Sequence, residues 1–326
     1  SSGAVPAIRR GGGILSSQAA DNLFWFSRYG ERAEMTVRII RSLLGSSIEV
    51  DSGTGQNSAA MDRLVSILVQ WGAVPAEDAK LPITQLCGRA FAEKKMVGGV
   101  SALIGSMRGI GRSLRDRFTN DFWRTANRPV PIVDSNHAES MLKSANMLIE
   151  RFSALSGLAA ENMVRGPGWR FFDMGRRVER ALNTCRIARR LTDGPEDRDS
   201  LGALLDLTDS QIVYRSRYLS GPMRDPVLDL VLLDPNNTRS LVYQLMAIEE
   251  LIGLLPALTE DEIPERPLRE ARSILRPLES LTIDQIAGDE LQEIETRLLG
   301  LSDAISERYF LQYEKSDRAE RDNFLA

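Results

Sequence analysis

Apolar residues recur in this chain at spacings of three and four positions, in stretches that Gly, Ser and Pro clusters separate. Residues spaced in this way lie on one face of an α-helix, whereas strict alternation would indicate a strand. The pattern predicts an all-α, multi-helix bundle with helices over residues 17–44, 58–71, 84–95, 99–118, 135–163, 169–192, 200–219, 238–255 and 289–312.

Segments between these helices carry other signals. Residues 45–57 contain a Gly- and Ser-rich run, which predicts a loop. The apolar run 227–233 fits either a strand or a helix, and the all-α context favours a helix. Pro264, Pro267 and Pro277 predict that the segment before the last helix is broken into short pieces.

The two ends of the chain differ in composition from the rest. Residues 1–13 are Gly- and Ser-rich without a hydrophobic period, and we interpret them as a linker or a cloning scar. Residues 313–326 are charge-rich with little to bury, which predicts a frayed C-terminal tail. The helical domain is therefore expected over residues 14–312.

An internal repeat is visible between residues 27–41 and 175–189, which share eight identities in fifteen positions without a gap. A repeat of this kind predicts two sequence-related halves, about 14–134 and 135–312. Each copy contains a Glu-Arg pair preceded by a further arginine. The matching charged residues at its centre are Arg28 with Arg176, Glu31 with Glu179, and Arg32 with Arg180.

The helix that carries the first copy is apolar on nearly all sides, which is typical of a buried helix. Arg28, Glu31 and Arg32 are then shielded charges at positions i, i+3 and i+4, close enough to touch. Buried charges need partners, and one Glu cannot neutralise two Arg. Either a second carboxylate reaches in, as in a structural ion-pair network, or the arginines line a cleft for a carboxylate or phosphate ligand.

At these residues the chain resembles a known family. Residues 21–34, 165–176 and 232–241 are similar to segments of the alpha-E domain, a predicted helical domain named for its Glu-Arg motif, and the resemblance covers about residues 14–312. The chain departs from the family pattern at two places. Residues 108–112 read Arg-Gly-Ile-Gly-Arg where members commonly carry Arg-Glu-Asn-Ala-Arg, and Ser27 stands where a Gly is usual.

The resemblance implies a setting more than a reaction. Members are found beside, or fused behind, circularly permuted ATP-grasp ligase domains, often with transglutaminase-like proteases, which implies peptide or amide-bond synthesis. ATP and magnesium would then act only through the ligase domain, in cis or in trans. Since this chain has no initiator Met, we expect it to be the C-terminal portion of a longer protein.

Ten residues are candidates for binding a ligand. Arg165 and Trp169 belong to the turn before the second motif, which is either a plain helix-to-helix turn or, if the motif helices line a cleft, the rim of that cleft. Arg239 is expected in the first turn of the 238–255 helix, where the helix dipole disfavours a cation, so it should face a carboxylate such as Asp234. The complete set is Arg28, Glu31, Arg32, Arg165, Trp169, Arg176, Glu179, Arg180, Asp234 and Arg239.

Composition narrows the possible functions. A net charge of −4 gives no drive toward nucleic acid or an anionic membrane, and no apolar run is long enough to cross a bilayer. Cys87 and Cys185 lack metal or disulfide spacing, so we expect no metal site and a reducing cytoplasmic location. His137, at the start of a helix, is expected to be a capping or surface group, and no hydrolytic triad is recognisable.

Three functions are compatible with the sequence. The leading hypothesis is a non-catalytic partner of an ATP-grasp ligase that holds an amino acid or peptide by its carboxylate. The second is an enzyme in its own right, with Glu31 or Glu179 as acid or base. The third is a purely structural scaffold in which the Glu-Arg pairs are internal braces.

Overall fold

The computed structural model describes residues 3–10, 14–51 and 58–310, and within these ranges it contains helices and no strands. The predicted all-α class is therefore confirmed. The α-helices are α1 (Ser17–Asp51), α2 (Ser58–Gln70), α3 (Ile83–Ala92), α4 (Val100–Gly111), α5 (Asn120–Ala126), α6 (Ala138–Asn162), α7 (Pro167–Leu191), α8 (Arg198–Leu207), α9 (Gln211–Arg217), α10 (Arg224–Leu228), α11 (Leu241–Gly253), α12 (Arg266–Ser280) and α13 (Gly288–Tyr309).

The long helices α1 and α7 pack against each other at the centre of the molecule. α4 and α6 cover α1 on other sides, and α11 and α13 cover α7. This arrangement buries every residue from 31 to 40 of α1, charged residues included. A helix that is apolar nearly all round needs such enclosure, because each of its sides must meet another element.

A glycine sets how closely the two central helices approach. A Cβ atom on Gly175 would overlap the carbonyl oxygen of Phe24 and the hydroxyl of Ser27. Ser27 is the repeat counterpart of Gly175, so corresponding positions of the two copies face each other across the contact. The Glu-Arg motifs, a few residues further along each helix, are consequently held face to face.

Several predicted helix boundaries are wrong. The predicted 99–118 helix is α-helical only to Gly111, and a 3₁₀ turn over Arg112–Arg117 follows. α1 continues through Gly45 and Ser46 to Asp51. Leu44 and Ser46 are buried, so tertiary packing outweighs the weak helix propensity of Gly and Ser there. Residues 52–57 of the predicted loop lie outside the described residues. The 200–219 helix is divided into α8 and α9, since Asp209 has a positive φ of 48° that no α-helix can contain.

The C-terminal third also differs from expectation. α12 is one helix rather than short pieces, because Pro267 occupies its first turn, where no backbone donor is lost, and Pro277 is accommodated near its end. α11 starts after Ser240, whose hydroxyl accepts a hydrogen bond from the Tyr243 amide at 3.0 Å. Arg239 therefore precedes the helix, and the dipole argument for its partner does not apply. The segment 227–233 is helical, as expected from context.

Candidate functional site

The carboxylate of Glu179 is fully buried between α1 and α7, together with Arg28. Its Oε1 atom accepts hydrogen bonds from Nε of Arg28 at 3.3 Å and from Nε and Nη2 of Arg32 at 3.2 and 2.8 Å. Arg28 also donates to the hydroxyl of Ser302 at 2.8 Å, and its guanidinium carbon lies 4.2 Å from the ring centroid of Trp25. The second carboxylate that the first motif requires is thus supplied by the second motif.

Burial and charge act in opposite directions on Glu179. Its side chain is fully buried, which raises the pKa, but the positive charges of Arg32 and Arg28 outweigh this and hold the pKa below its usual value. The carboxylate is therefore ionised and enclosed in an ion pair.

The reciprocal contact joins Glu31 to Arg180. Nε and Nη2 of Arg180 donate to the two carboxylate oxygens of Glu31 at 2.7 and 3.2 Å, a forked geometry that only Arg can provide. Burial would raise the pKa of Glu31, but the Arg180 charge and hydrogen bonds, with smaller contributions from Arg239 and Arg176, lower it to about 2. The same pairing raises the pKa of Arg180 despite its burial.

A second carboxylate of α1 extends this network toward the surface. Glu34 accepts from Nε of Arg38 at 3.2 Å, and Nη1 of Arg239 lies 3.7 Å from it. Asp209, at the break between α8 and α9, lies 3.0 Å from Arg38 and 3.7 Å from Arg239. Burial, together with the nearby charges of Arg180 and Arg38, lowers the pKa of Arg239 to about 10. The carboxylates near Arg239 raise its pKa but do not fully offset this decrease.

Arg176 lies on α7 one turn before the second Glu-Arg pair. Its Nε and Nη2 atoms donate to the same Oδ1 atom of Asp173, at 3.3 and 2.8 Å. Asp173 also lies 3.5 Å from Arg177, which donates to the side-chain carbonyl of Gln244 at 3.0 Å. Within the described ranges, no hydrogen bond is made by Nη1 of Arg176.

A narrow cleft opens beside Glu31 and has a volume of about 30 Å³, room for about two water molecules. Its polar lining comes from Ser27, Glu31, Glu34, Ser156 and Arg176. Its remaining walls are apolar and come from α1, α4, α5, α6 and α7, namely Phe26, Gly30, Met107, Phe122, Phe152, Leu155 and Phe172.

The predicted site residues fall into three groups. Arg28, Glu31, Arg32, Glu179 and Arg180 meet between α1 and α7, and Arg176 and Arg239 flank them. Arg165 lies over the ring of Trp169, 3.9 Å from its centroid, and these two residues form a separate stack. Asp234 pairs with Arg217 at 2.5 Å and receives the backbone amide of Asn236, so it is not the carboxylate that faces Arg239.

Sequence reasoning did not identify several members of the network, namely Glu34, Arg38, Asp173, Arg177, Asp209, Gln244 and Ser302. Two of them had a local signal, because Glu34 precedes Arg38 by four positions and Asp173 precedes Arg176 by three, spacings typical of helical ion pairs. Asp209 and Ser302 had none, since only the fold brings them to Arg38 and Arg28.

The site offers limited catalytic chemistry. Glu31, with a pKa of about 2 and both oxygens bound to Arg180, would be a weak base, and Glu179 is enclosed. Among the described residues there is no cluster of His, Cys, Asp and Glu that could bind a metal ion. Burial raises the pKa of both Cys87 and Cys185, which disfavours their thiolate forms.

Two further expectations concern His137 and membrane-spanning helices. His137 stands at the start of α6, where its side chain is exposed and lies 3.4 Å from Asp134 rather than capping the helix. In the ranges that the structure covers, no helix combines the length and the apolar character needed to traverse a bilayer.

Comparison with known proteins places these features in a family. Residues 15–310 match the family described as "Alpha-E: A predicted alpha-helical domain with a conserved ER motif". An uncharacterized protein of Mycobacterium bovis and two of Mycobacterium tuberculosis are each 26% identical to this chain over 325 residues. The matches cover 91% of this chain and 37% of each relative, so the chain spans well under half of their length. No solved structure matches.

Both copies of the Glu-Arg motif are buried at the centre of the fold, and the family match extends over almost the whole described chain. The chain therefore belongs to the Alpha-E family.

Proposed function

We propose that the chain is a non-catalytic helical partner of an ATP-grasp-type amide ligase and holds a carboxylate-bearing substrate for it. The ligase setting rests on the family resemblance. The observation that supports the substrate role is that the arginines of the central cluster fall into two groups with different partners. Arg28, Arg32 and Arg180 are bound to carboxylates of the opposite motif, whereas Arg176 and Arg239 lie at its edge with incomplete partners.

The inner arginines act as braces in this proposal. Arg28 and Arg32 share one carboxylate, Glu179, and all three are nearly or fully inaccessible to solvent. A ligand could reach them only after this buried ion pair was broken. They therefore fix α1 against α7 and stabilise the frame around the substrate site, as in the scaffold hypothesis.

The outer arginines are suited to binding an anion. Among the described residues, the side chain of Arg239 forms ion pairs of 3.7 Å with Glu34 and Asp209, and it is 21% exposed. Arg176 directs two of its donors to one oxygen of Asp173 and retains Nη1. A substrate carboxylate would add charge-assisted hydrogen bonds where positive charge is in excess.

A purely structural role is the second candidate, and the full burial of Glu179 with Arg28 favours it. An enzymatic role with Glu31 or Glu179 as base has less support, because both carboxylates are engaged by arginines and have lowered pKa values. Under the structural role, substitutions at Arg176 and Arg239 would leave the partner's reaction unchanged.

The test is product formation by an ATP-grasp ligase domain combined with this chain, in cis or in trans, with ATP, magnesium and a mixture of amino acids and peptides. Arg176→Lys and Arg239→Lys retain charge but lose the forked donor geometry, so we expect the amide product to fall at least tenfold while the fold persists. Arg112→Lys, at an exposed position, is the matched control. Normal product from both edge variants would refute the substrate role.

A further inference from the structure

We infer that the ligase partner docks in an apolar groove formed where the two ends of the Alpha-E domain meet. This inference rests on the proposed function and names the surface that joins the two proteins. Three features support it: the place of the groove in the fold, its apolar lining beside exposed apolar side chains, and an acidic segment along its edge.

The groove lies between the start of α1, the start of α7, the segment after α11 and the end of α13. Its volume of about 350 Å³ is within the range of about 300–1,000 Å³ that is typical of binding sites. None of the charged residues of the two Glu-Arg motifs lines it, so it is separate from the central cluster. Its main apolar lining residues are Ile14, Leu15, Phe171, Leu255, Pro256 and Tyr309.

Both ends of the family domain lie at this groove. The family match runs from residue 15 to residue 310, and Leu15 and Tyr309 both line the groove. The match accounts for 37% of each mycobacterial relative, so most of each relative continues from one of these two ends. A domain attached at either end is tethered beside the groove, which raises its effective concentration there. The relatives therefore favour a protein domain as the occupant over a free small molecule.

Exposed apolar side chains extend the groove into a larger surface. Ile14 in its wall is fully exposed to solvent. An adjoining depression shares Leu255, Pro256 and Tyr309 with the groove and includes Ile263, which is 66% exposed. Contiguous exposed apolar surface is typical of protein interaction sites, because a partner that covers it removes it from water.

One wall of this surface is fixed before a partner binds. Arg308, near the end of α13, forms an ion pair with Glu265 and donates to the carbonyl oxygen of Pro256 at 3.0 Å. These contacts hold both ends of the segment 256–265 against α13. A wall that is already ordered lowers the entropic cost of binding.

The same segment gives the surface an acidic edge. Glu260, Asp261 and Glu262 are consecutive and exposed, and none of them forms an ion pair with another described residue. Glu262 lines the depression beside the groove. Since docking surfaces carry complementary charges, the matching surface of the ligase should present apolar side chains flanked by Arg or Lys.

The experiment measures binding of the intact chain to the ATP-grasp ligase of the product assay by biolayer interferometry. Ile14→Asp and Ile263→Asp place a charge in the groove and in the depression, so we expect each to weaken binding at least tenfold. Ile132→Asp and Ile212→Asp make the same change at positions that are 100% and 74% exposed and lie elsewhere, and they should bind like the parent. Parental affinity in both groove variants, or no binding by the parent, would overturn the inference.

A second pair of variants tests the acidic edge. The double variant of Glu260→Gln and Glu262→Gln should lower the association rate about threefold or more at low salt, and the difference should shrink at high salt because ions screen the attraction. The double variant of Glu77→Gln and Glu150→Gln, which removes two exposed carboxylates elsewhere, is the control. An association rate equal to that of the control at low salt would overturn the basic character of the partner surface.

Sedimentation of the chain alone tests a second copy as the occupant. We expect a monomer, because the groove is assigned to the ligase. A dimer that both Ile14→Asp and Ile263→Asp dissociate would assign the groove to a second copy of the chain and overturn the assignment to the ligase.

The outcomes separate this inference from the proposed substrate role. Weakened binding by the groove variants, combined with unchanged product in the Arg176→Lys and Arg239→Lys variants, would refute the substrate role and retain the docking surface. Loss of product in those arginine variants, combined with parental binding by the groove variants, would retain the substrate role and refute the docking surface.

Discussion

Nη2 of Arg32 lies 2.8 Å from Oε1 of Glu179, although the two residues are 147 positions apart in the sequence. The converse contact, from Nε of Arg180 to Oε1 of Glu31, measures 2.7 Å. Each motif thus supplies the glutamate that the arginine of the other motif requires. The two copies of the Glu-Arg motif thus form two reciprocal ion pairs, or clamps, across the contact between α1 and α7. A single copy would leave its charges buried and uncompensated.

Removal of Glu179 should be severely destabilising. Glu179→Ala leaves Arg28 and Arg32 buried without their shared carboxylate, and we expect the free energy of unfolding to fall by about 3–5 kcal/mol. Chemical denaturation measures the change. Glu293→Ala, at an exposed position of α13, is the control and should stay within about 0.5 kcal/mol of the parent. Equal stability of the two variants would contradict a stabilising role for the ion pairs of Glu179 with Arg28 and Arg32.

The periodicity of the sequence and its internal repeat predicted part of the central contact. Helix-wide burial predicted that the charges of Arg28, Glu31 and Arg32 need partners, but it left open whether a second carboxylate or an anionic ligand provides them, and the structure shows that Glu179 and Arg180 of the other copy do. These predictions succeed because hydrophobic periodicity and charge compensation are encoded in local sequence.

Other features depended on tertiary packing that no local pattern contains. The extension of α1 through Gly45 is imposed by neighbouring helices, and the helix break at Asp209 is a backbone event at a residue that tolerates positive φ. The pairing of Asp234 with Arg217 rather than Arg239 follows from where α9 ends. The cleft is likewise a product of five helices and has no linear signature.

Glu31 should make the stability of the protein depend on acid pH. Its pKa of about 2 in the folded state is below the value of 4.5 for a free side chain, so its stabilising effect is complete above about pH 4.5 and disappears as the pH falls toward 2. The shift corresponds to about 3 kcal/mol. Denaturation of the parent and of Glu31→Gln should therefore show a stability gap at pH 6 that narrows by pH 3. A gap of constant size would show that the pKa is not depressed.

Gly175 should tolerate no side chain. A Cβ at this position would overlap the Phe24 carbonyl and the Ser27 hydroxyl, so Gly175→Ala must push α7 away from α1 and should lower the melting temperature by several degrees. Gly157→Ala, within α6 and with nothing near its Cβ, should instead raise stability by about 0.5–1 kcal/mol. We therefore expect the two substitutions to change the stability in opposite directions. Stabilisation by both would refute a tight contact between the central helices.

Arg180→Lys tests whether forked geometry, and not charge alone, holds the second clamp. Arg180 contacts both oxygens of Glu31, whereas a lysine ammonium provides a single centre, so we expect a loss of about 1–3 kcal/mol in unfolding free energy. In the Glu31→Gln background the same substitution should cost clearly less, because the forked contact is already disrupted. A double-mutant cycle measures this difference, and a coupling energy of about 0.5–3 kcal/mol is expected for residues in direct contact. Arg112→Lys at an exposed position provides the baseline for an arginine-to-lysine change. A coupling energy near zero would mean that Glu31 and Arg180 contribute independently, and the clamp would then consist of the Arg32 and Glu179 contact alone.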